Sequence, residues 1–283
     1  MTNDNFCVFI LSHGRADRLY TLKSLKESGY TGKVYIVIDN EDKTADEYIK
    51  KYGNKVLIFN KAEIARSFDE MDNFNSRKTI VYARNVCFDF AEKLQIKYFM
   101  ELDDDYVSFS YRFNHQGEFK NKKVTNLDFI LNRMIQFYEE SNCDCLAFAQ
   151  GGDFIGGESG LGNAIRIKRK AMNTLLCSTD KKFRFIGRIN EDVNTYVKLG
   201  SIGKLFFTVN IISINQKQTQ SNSGGMTDIY LQSGTYVKSF YSIILNPSCV
   251  KISKMGNKNM RIHHKISWNH AVPKIIDEKY KKR

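Results

Sequence analysis

Lys97-Tyr-Phe-Met-Glu-Leu-Asp-Asp-Asp-Tyr106 is an apolar strand that runs straight into three consecutive aspartates. Three adjacent carboxylates repel one another, and at the end of a buried strand they are costly to desolvate. A hard divalent cation such as Mg²⁺ or Mn²⁺ removes that penalty, because it prefers oxygen ligands. Ligands of open α/β sheets bind beyond the carboxyl ends of strands, so a cation held here is placed to clamp a diphosphate. An isolated acidic triplet also suits a solvated turn or a helix cap. The apolar strand before it and the pattern around it favour the metal reading.

Upstream of the aspartates, strands and helices alternate. Phe6–Leu11 is a continuous apolar run, read as a buried strand, and Arg15–Ser28 carries Leu19, Leu22 and Leu25 at helical spacing before Gly29 stops it. Val34–Ile38 is the next strand and ends at Asp39; Asp42–Tyr52 is a helix and Val56–Phe59 a third strand. In Thr79–Leu94 the residues Ile80, Ala83, Cys87, Ala91 and Leu94 share one helical face. This order predicts an α/β fold with a mostly parallel, doubly covered sheet.

Downstream the pattern is mixed. Asn126–Ser141 reads as a helix, Cys145–Ala149 as a strand, Gly151–Gly162 as a glycine-rich loop and Asn163–Ile167 as a strand. Arg169–Cys177 and Glu191–Leu199 read as helices, Gly203–Ile214 as a long strand, Asn215–Gly225 as a polar loop. A helix around Asp228–Tyr241 and an alternating strand, Met260–Ile266, complete the chain. With two prolines, no linker and no repeat, the expectation is one continuous domain over 1–283, with nucleotide on residues 1–106 and acceptor on 107–283.

A hydrophobic content of 42% with 26% charged residues is ordinary for a soluble globular chain. No apolar run approaches the length of a membrane span, and the opening residues show neither a basic leader nor a cleavage site. The six cysteines are scattered and mostly sit in apolar segments, so reduced thiols and a cytoplasmic location are expected. The net charge of +12 is less ordinary, and Lys251–Arg283 holds ten Lys or Arg against two acids. With Arg166-Ile-Lys-Arg-Lys170, this suits a polyanion, either DNA or a nucleotide diphosphate, although a tail that only aids solubility fits nearly as well.

Several further groups stand where chemistry is expected. Ser12-His13-Gly14-Arg15 follows the first strand, where Gly allows close backbone approach and Arg15 can meet phosphate or base. Ser12 is equally suited to cap the helix. Asp39 ends the second strand, where an acid commonly accepts hydrogen bonds from a ribose or base, yet it also suits a turn. Arg84 and Asn85 point away from the apolar stripe of their helix, which reads as solvent exposure. Glu191 and Asp192 open a helix, where carboxylates are favoured electrostatically. One of them can serve as a general base, Asp192 in the first place with Glu191 supporting or competing. In Arg261–Ile266 the strand period places Ile262, His264 and Ile266 on a core face and Arg261, His263 and Lys265 on the other. His263 is then the candidate third metal ligand, and a bulge would exchange it for His264.

Taken in order, these features resemble the GT-A (Rossmann-like) fold of nucleotide-sugar glycosyltransferases. The aspartate triplet matches a DxD motif and Asn190-Glu-Asp192 an xED motif, with Ser12–Arg15, Asp39, Ala83-Arg-Asn85 and a late His in support. More narrowly, the chain resembles phage glycosyltransferases associated with ten-eleven-translocation-type dioxygenases. That likeness rests on Gln150-Gly-Gly152, Ser221–Gly225, Gly234–Phe240 and the stretch from His263 through Trp268 to Lys274. The resemblance implies a mostly parallel central sheet flanked by helices with a smaller mixed acceptor-side region. It implies nucleotide-sugar binding by Ser12, His13, Gly14, Arg15, Asp39, Arg84, Asp103 and Asp104, and a divalent metal on Asp103, Asp105 and His263. It further implies a nucleotide diphosphate sugar as donor and DNA carrying hydroxymethylated pyrimidines as acceptor, with no membrane partner. The transfer inverts if Asp192 is the base. A glycosyltransferase acting on protein or surface glycan, a nucleotidyltransferase, and a non-catalytic nucleic-acid-binding protein are the rival readings.

Overall fold

The computed structural model describes residues 4–73, 76–114, 116–154, 169–217, 236–255 and 260–271. Among them nine strands form one sheet in the order β3-β2-β1-β4-β8-β7-β9-β5-β6. Its strands are β1 Phe6–Leu11, β2 Lys33–Asp39, β3 Val56–Phe59, β4 Tyr98–Asp103, β5 Tyr106–Phe113, β6 Phe119–Lys123, β7 Cys145–Ala149, β8 Leu175–Ser178 and β9 Phe206–Gln216. β1 to β4 are mutually parallel, and β5 and β8 run against the other seven strands, so the sheet is mixed but mostly parallel.

Burial on both faces explains why β1 is apolar at every position. Phe6, Val8 and Ile10 enter one core, and Cys7, Phe9 and Leu11 enter the other. The first core is closed by α1 (Tyr20–Glu27), α2 (Ala45–Tyr52) and α5 (Leu127–Ser141), through Leu25, Tyr48, Leu131 and Met134. The second is closed by α4 (Val81–Lys93) and α6 (Glu191–Gly200), through Phe88, Ala91, Val193 and Val197. A short helix, α3 (Lys61–Ala65), precedes α4. Outside the sheet, β10 (Val250–Met255) and β11 (Arg261–Ile266) form an antiparallel hairpin that packs with α7 (Tyr236–Leu245).

The expected elements of the first half are present, with helix starts moved inward: α1 begins at Tyr20 and α2 at Ala45. The helix expected over Arg169–Cys177 is corrected to strand β8, which fills the sheet between β4 and β7. Leu175-Leu-Cys177 is a short apolar run, and such a run is helix or strand according to its neighbours. Strands β5, β6 and β10 and helix α3 were not expected. The strand expected at 163–167, the Ser221–Gly225 segment and the tail beyond 271 lie outside the described residues, as do most of the glycine-rich loop and the start of the helix expected at 228–241.

Gly29 closes α1 with φ +80°, and a Cβ there would lie 2.3 Å from the Thr125 carbonyl oxygen. The backbone contact leaves nothing flexible to yield. Gly29→Ala should therefore destabilise the fold by at least about 1–2 kcal/mol. The expected readout is a lower urea midpoint with an unchanged denaturant slope.

Candidate active site

Asp103 closes β4, and Asp104 and Asp105 form the turn into β5. Glu101 and Asp103 lie two residues apart on β4 and share the face covered by α4 and α6, where both meet Arg84. Asp104 turns the opposite way. One of its carboxylate oxygens accepts from Ser12 Oγ at 2.6 Å and the other from Arg15 Nη1 at 2.8 Å. The Tyr48 hydroxyl joins the same group, 2.7 Å from Ser12 Oγ and accepting from the Arg15 backbone N–H at 2.8 Å. Thr21 stitches α1 beneath the turn, its hydroxyl donating to the Asp103 carbonyl at 2.5 Å and accepting from the Tyr106 N–H at 2.9 Å. Asp104 thus orients the loop after β1, with both oxygens engaged by protein.

Arg84 is 2% exposed, so the solvent-exposed reading of Arg84-Asn85 is corrected. The reason is tertiary: Arg84 meets acids from β4 and from the start of α6, and Asn85 meets the backbone of Phe185. Asn85 exchanges two hydrogen bonds with the Phe185 backbone, at 2.7 and 3.1 Å. Arg84 Nε donates to Glu191 Oε1 at 2.9 Å, and its Nη atoms lie 3.6 Å from Asp103 and 3.8 Å from Glu101. Burial lifts the Asp103 carboxyl to about 7, with Arg84 opposing the rise and Asp105, Asp104 and Glu191 adding to it. Burial likewise raises Asp105, Glu191 and, most strongly, Glu101.

The two acids that open α6 are not equivalent. Glu191 is tied to Arg84, whereas Asp192 accepts from the Val193 N–H at 2.7 Å and has no ion-pair partner among the described residues. Asn190 enters the helix with φ +57° and donates to the Lys238 carbonyl at 2.7 Å, which links the α6 start to α7.

At the end of β2, Asp39 accepts from His13 Nδ1 at 2.8 Å, pairs with the buried Lys61 at 3.1 Å and takes the Glu41 N–H at 3.0 Å. Burial pushes the Asp39 carboxyl up, but His13 and Lys61 outweigh it and the net shift is down. The hydrogen bond to Asp39 raises His13, whose side chain is 53% exposed and faces solvent at the strand ends. The Gly14 N–H donates to Asp42 at 2.7 Å.

His263 lies on β11, opposite Ser253 in the hairpin and 4.3 Å from the His264 ring. Burial lowers both imidazoles, His264 to about 4. Among the described residues no three His, Cys, Asp or Glu side chains gather closely enough to hold a metal. Asp103 and Asp105 stand at the end of β4 and in the turn after it, and His263 stands on the separate two-stranded hairpin. Asp105 Oδ1 is buried without a hydrogen-bond partner, and Asp103 Oδ1 has only the Arg84 guanidinium at 3.6 Å, so both are hard oxygen donors that fit a cation. A cation on these two carboxylates would complete its shell with diphosphate oxygens and water.

Sequence reasoning passed over Glu101, Lys61, Asp42 and Tyr48. Glu101 alone had a readable signal, being an acid inside the apolar run Phe99–Leu102.

Arg84 draws together carboxylates from a strand end and from a helix start, in an α/β chain whose class the family comparison defines as a glycosyltransferase family. Similar solved structures include glucosyl-3-phosphoglycerate synthase from Mycobacterium tuberculosis in complex with Mg²⁺ and uridine diphosphate, with a TM-score of 0.48 at 8% identity over 92% of this chain and 87% of that one. A mannosyltransferase from Pyrobaculum calidifontis in complex with GDP-Man and Mn²⁺ gives 0.47 at 9% identity over 77% and 58%. TarS from S. aureus gives 0.42 at 14% identity over 74% of this chain, which spans 36% of that protein. No curated protein matches the chain. The model of the TET-Associated Glycosyltransferase family matches residues 6–225, and the chain belongs to that family.

Removing Arg84 would leave the buried Glu101 and Glu191 and the half-buried Asp103 facing one another. Arg84→Met is expected to cost about 3–5 kcal/mol of stability. Adding Glu191→Gln should restore part of that loss, since it removes one of the uncompensated charges. Urea unfolding of the single and double variants checks both statements.

Proposed function

We propose that this protein moves a sugar from a nucleotide diphosphate sugar to the hydroxymethyl group of a modified pyrimidine in DNA, of the 5-hydroxymethylcytosine type. The observation that carries the reading is the Arg84 bridge, which joins the acidic turn after β4 to the start of the helix that holds Asp192. Family membership and the +12 charge support DNA as the acceptor. Residues 1–106 then bind the donor and 107–283 the acceptor. This reading implies a phage protein working in the host cytoplasm. No helix among the described residues is long and apolar enough to cross a membrane.

Asp103 and Asp105 would hold Mg²⁺ or Mn²⁺. When bound, such a cation supplies Lewis acidity that stabilises the departing diphosphate. Arg15, held in place by Asp104, presents its guanidinium to the phosphates, while His13 and Asp39 face the ribose or base. Arg84 fixes Glu191, so Asp192 is the carboxylate at liberty to take the proton from the acceptor hydroxymethyl group. Attack by that oxygen on the anomeric carbon, opposite the leaving diphosphate, inverts the configuration. A base within a duplex must first be extruded to reach Asp192.

Incubation with a panel of nucleotide sugars and hydroxymethylcytosine DNA, followed by nucleoside mass spectrometry, should yield a glycosylated nucleoside and free nucleoside diphosphate. Labelling of a protein or glycan instead would overturn the DNA reading, and release of pyrophosphate would point to nucleotidyl transfer. Asp192→Asn should keep donor binding and lower turnover by about 10²–10⁴-fold. Asp105→Ala should lose both metal-dependent donor binding, measured by calorimetry, and transfer. Full activity of that variant in chelator would remove the metal from the mechanism.

A further inference from the structure

The chain contains one tryptophan, Trp268, which is 39% exposed. Its indole stacks on Tyr196 with centroids 6.0 Å apart and planes only 16° from parallel. The other described pairs of Phe and Tyr rings are tilted or edge-on, with planes 38° or more apart. Edge-to-face contact fills a core, whereas a parallel pair with an exposed member offers a flat surface to a third ring.

The location of this stack gives it meaning. Tyr196 is buried on α6 one turn after Asp192, and residues four apart share a helix face. The charge of Asp192 adds to burial in raising the Tyr196 phenol. Trp268 is also held firmly. The Ser267 N–H donates to the Cys249 carbonyl at 2.7 Å, and the Ala271 N–H returns to the Ser267 carbonyl at 3.0 Å. Ala271 itself is 1% exposed in the core beneath. A cation stands at the same place: a Cβ on Gly200, at the end of α6, would lie 3.8 Å from the Ala271 carbonyl and 4.0 Å from the Arg169 guanidinium.

We propose that Trp268 is the acceptor platform, on which a pyrimidine base turned out of DNA stacks so that its hydroxymethyl group meets Asp192, while Arg169 meets a flanking phosphate. This rests on the DNA-base reading above. Heteroaromatic bases stack on exposed aromatic side chains irrespective of sequence, which suits an enzyme that selects by a substituent on the base.

Trp268 is the sole source of tryptophan fluorescence, so the wild-type protein reports on the platform without mutation. Titration with single-stranded hydroxymethylcytosine oligonucleotide should quench that emission, while an abasic oligonucleotide of equal charge should bind with little quenching. Fluorescence anisotropy of labelled oligonucleotides confirms binding in both arms. Trp268→Ala should raise KM for acceptor DNA roughly tenfold or more, and Trp268→Phe should recover most of the loss. Glycosylation of DNA without quenching, or with equal quenching by the abasic strand, overturns the platform and leaves the transfer reaction standing. No transfer to any hydroxymethylated DNA overturns the underlying reading, and the platform with it.

Discussion

Arg84 is a guanidinium almost out of contact with water, and the surrounding structure has to supply what water would have given it. It does so with Glu191 at 2.9 Å, Asp103 at 3.6 Å and Glu101 at 3.8 Å. Moving any one of these ions from water to a protein interior costs several kcal/mol, and attraction repays it only when the partners are close and correctly placed. Three carboxylates around one guanidinium also leave excess negative charge, so the cluster favours either protons or a further cation. Burial raises each of the three carboxyls, and the Arg84 charge opposes that rise.

This bridge also ties together elements that are far apart in the chain. Arg84 comes from the helix that leads into β4, Glu101 and Asp103 from β4 itself, and Glu191 from a helix about 90 residues later. A shift in any of these elements would strand a buried charge, so the acidic turn and the start of α6 are held in fixed relation. Asn85 reinforces the same junction by satisfying both polar groups of the Phe185 backbone. Contacts of this kind fix the start of α6, and the position of Asp192 with it.

The aspartate turn uses its neighbours differently. Asp103 serves the Arg84 side, Asp104 holds Ser12 and Arg15, and Asp105 keeps one buried oxygen without a partner. Asp103 is the last strand residue and Asp104 and Asp105 make the turn, so the chain aims three identical side chains at different neighbours. Asp39 divides its oxygens in a comparable way, between His13 with Lys61 on one and the Glu41 backbone on the other.

By itself the sequence determined the alternating first half, the delivery of acids to a strand end and the acidic opening of α6. These depend on period and local order, and β3 and β7 match their expected bounds because apolar runs between polar breaks have one short-range solution. Only the tertiary structure decided that Leu175–Ser178 is a strand, that Arg84 and Asn85 are buried, and that Glu101 belongs to the site. Each of those outcomes depends on a partner distant in the chain: β4 and β7 flank β8, Glu191 and the Phe185 backbone meet Arg84 and Asn85, and Arg84 turns an acid inside a strand into half of an ion pair. Whether a polar side chain faces water or another charge is settled by what packs against it, and no local pattern carries that information.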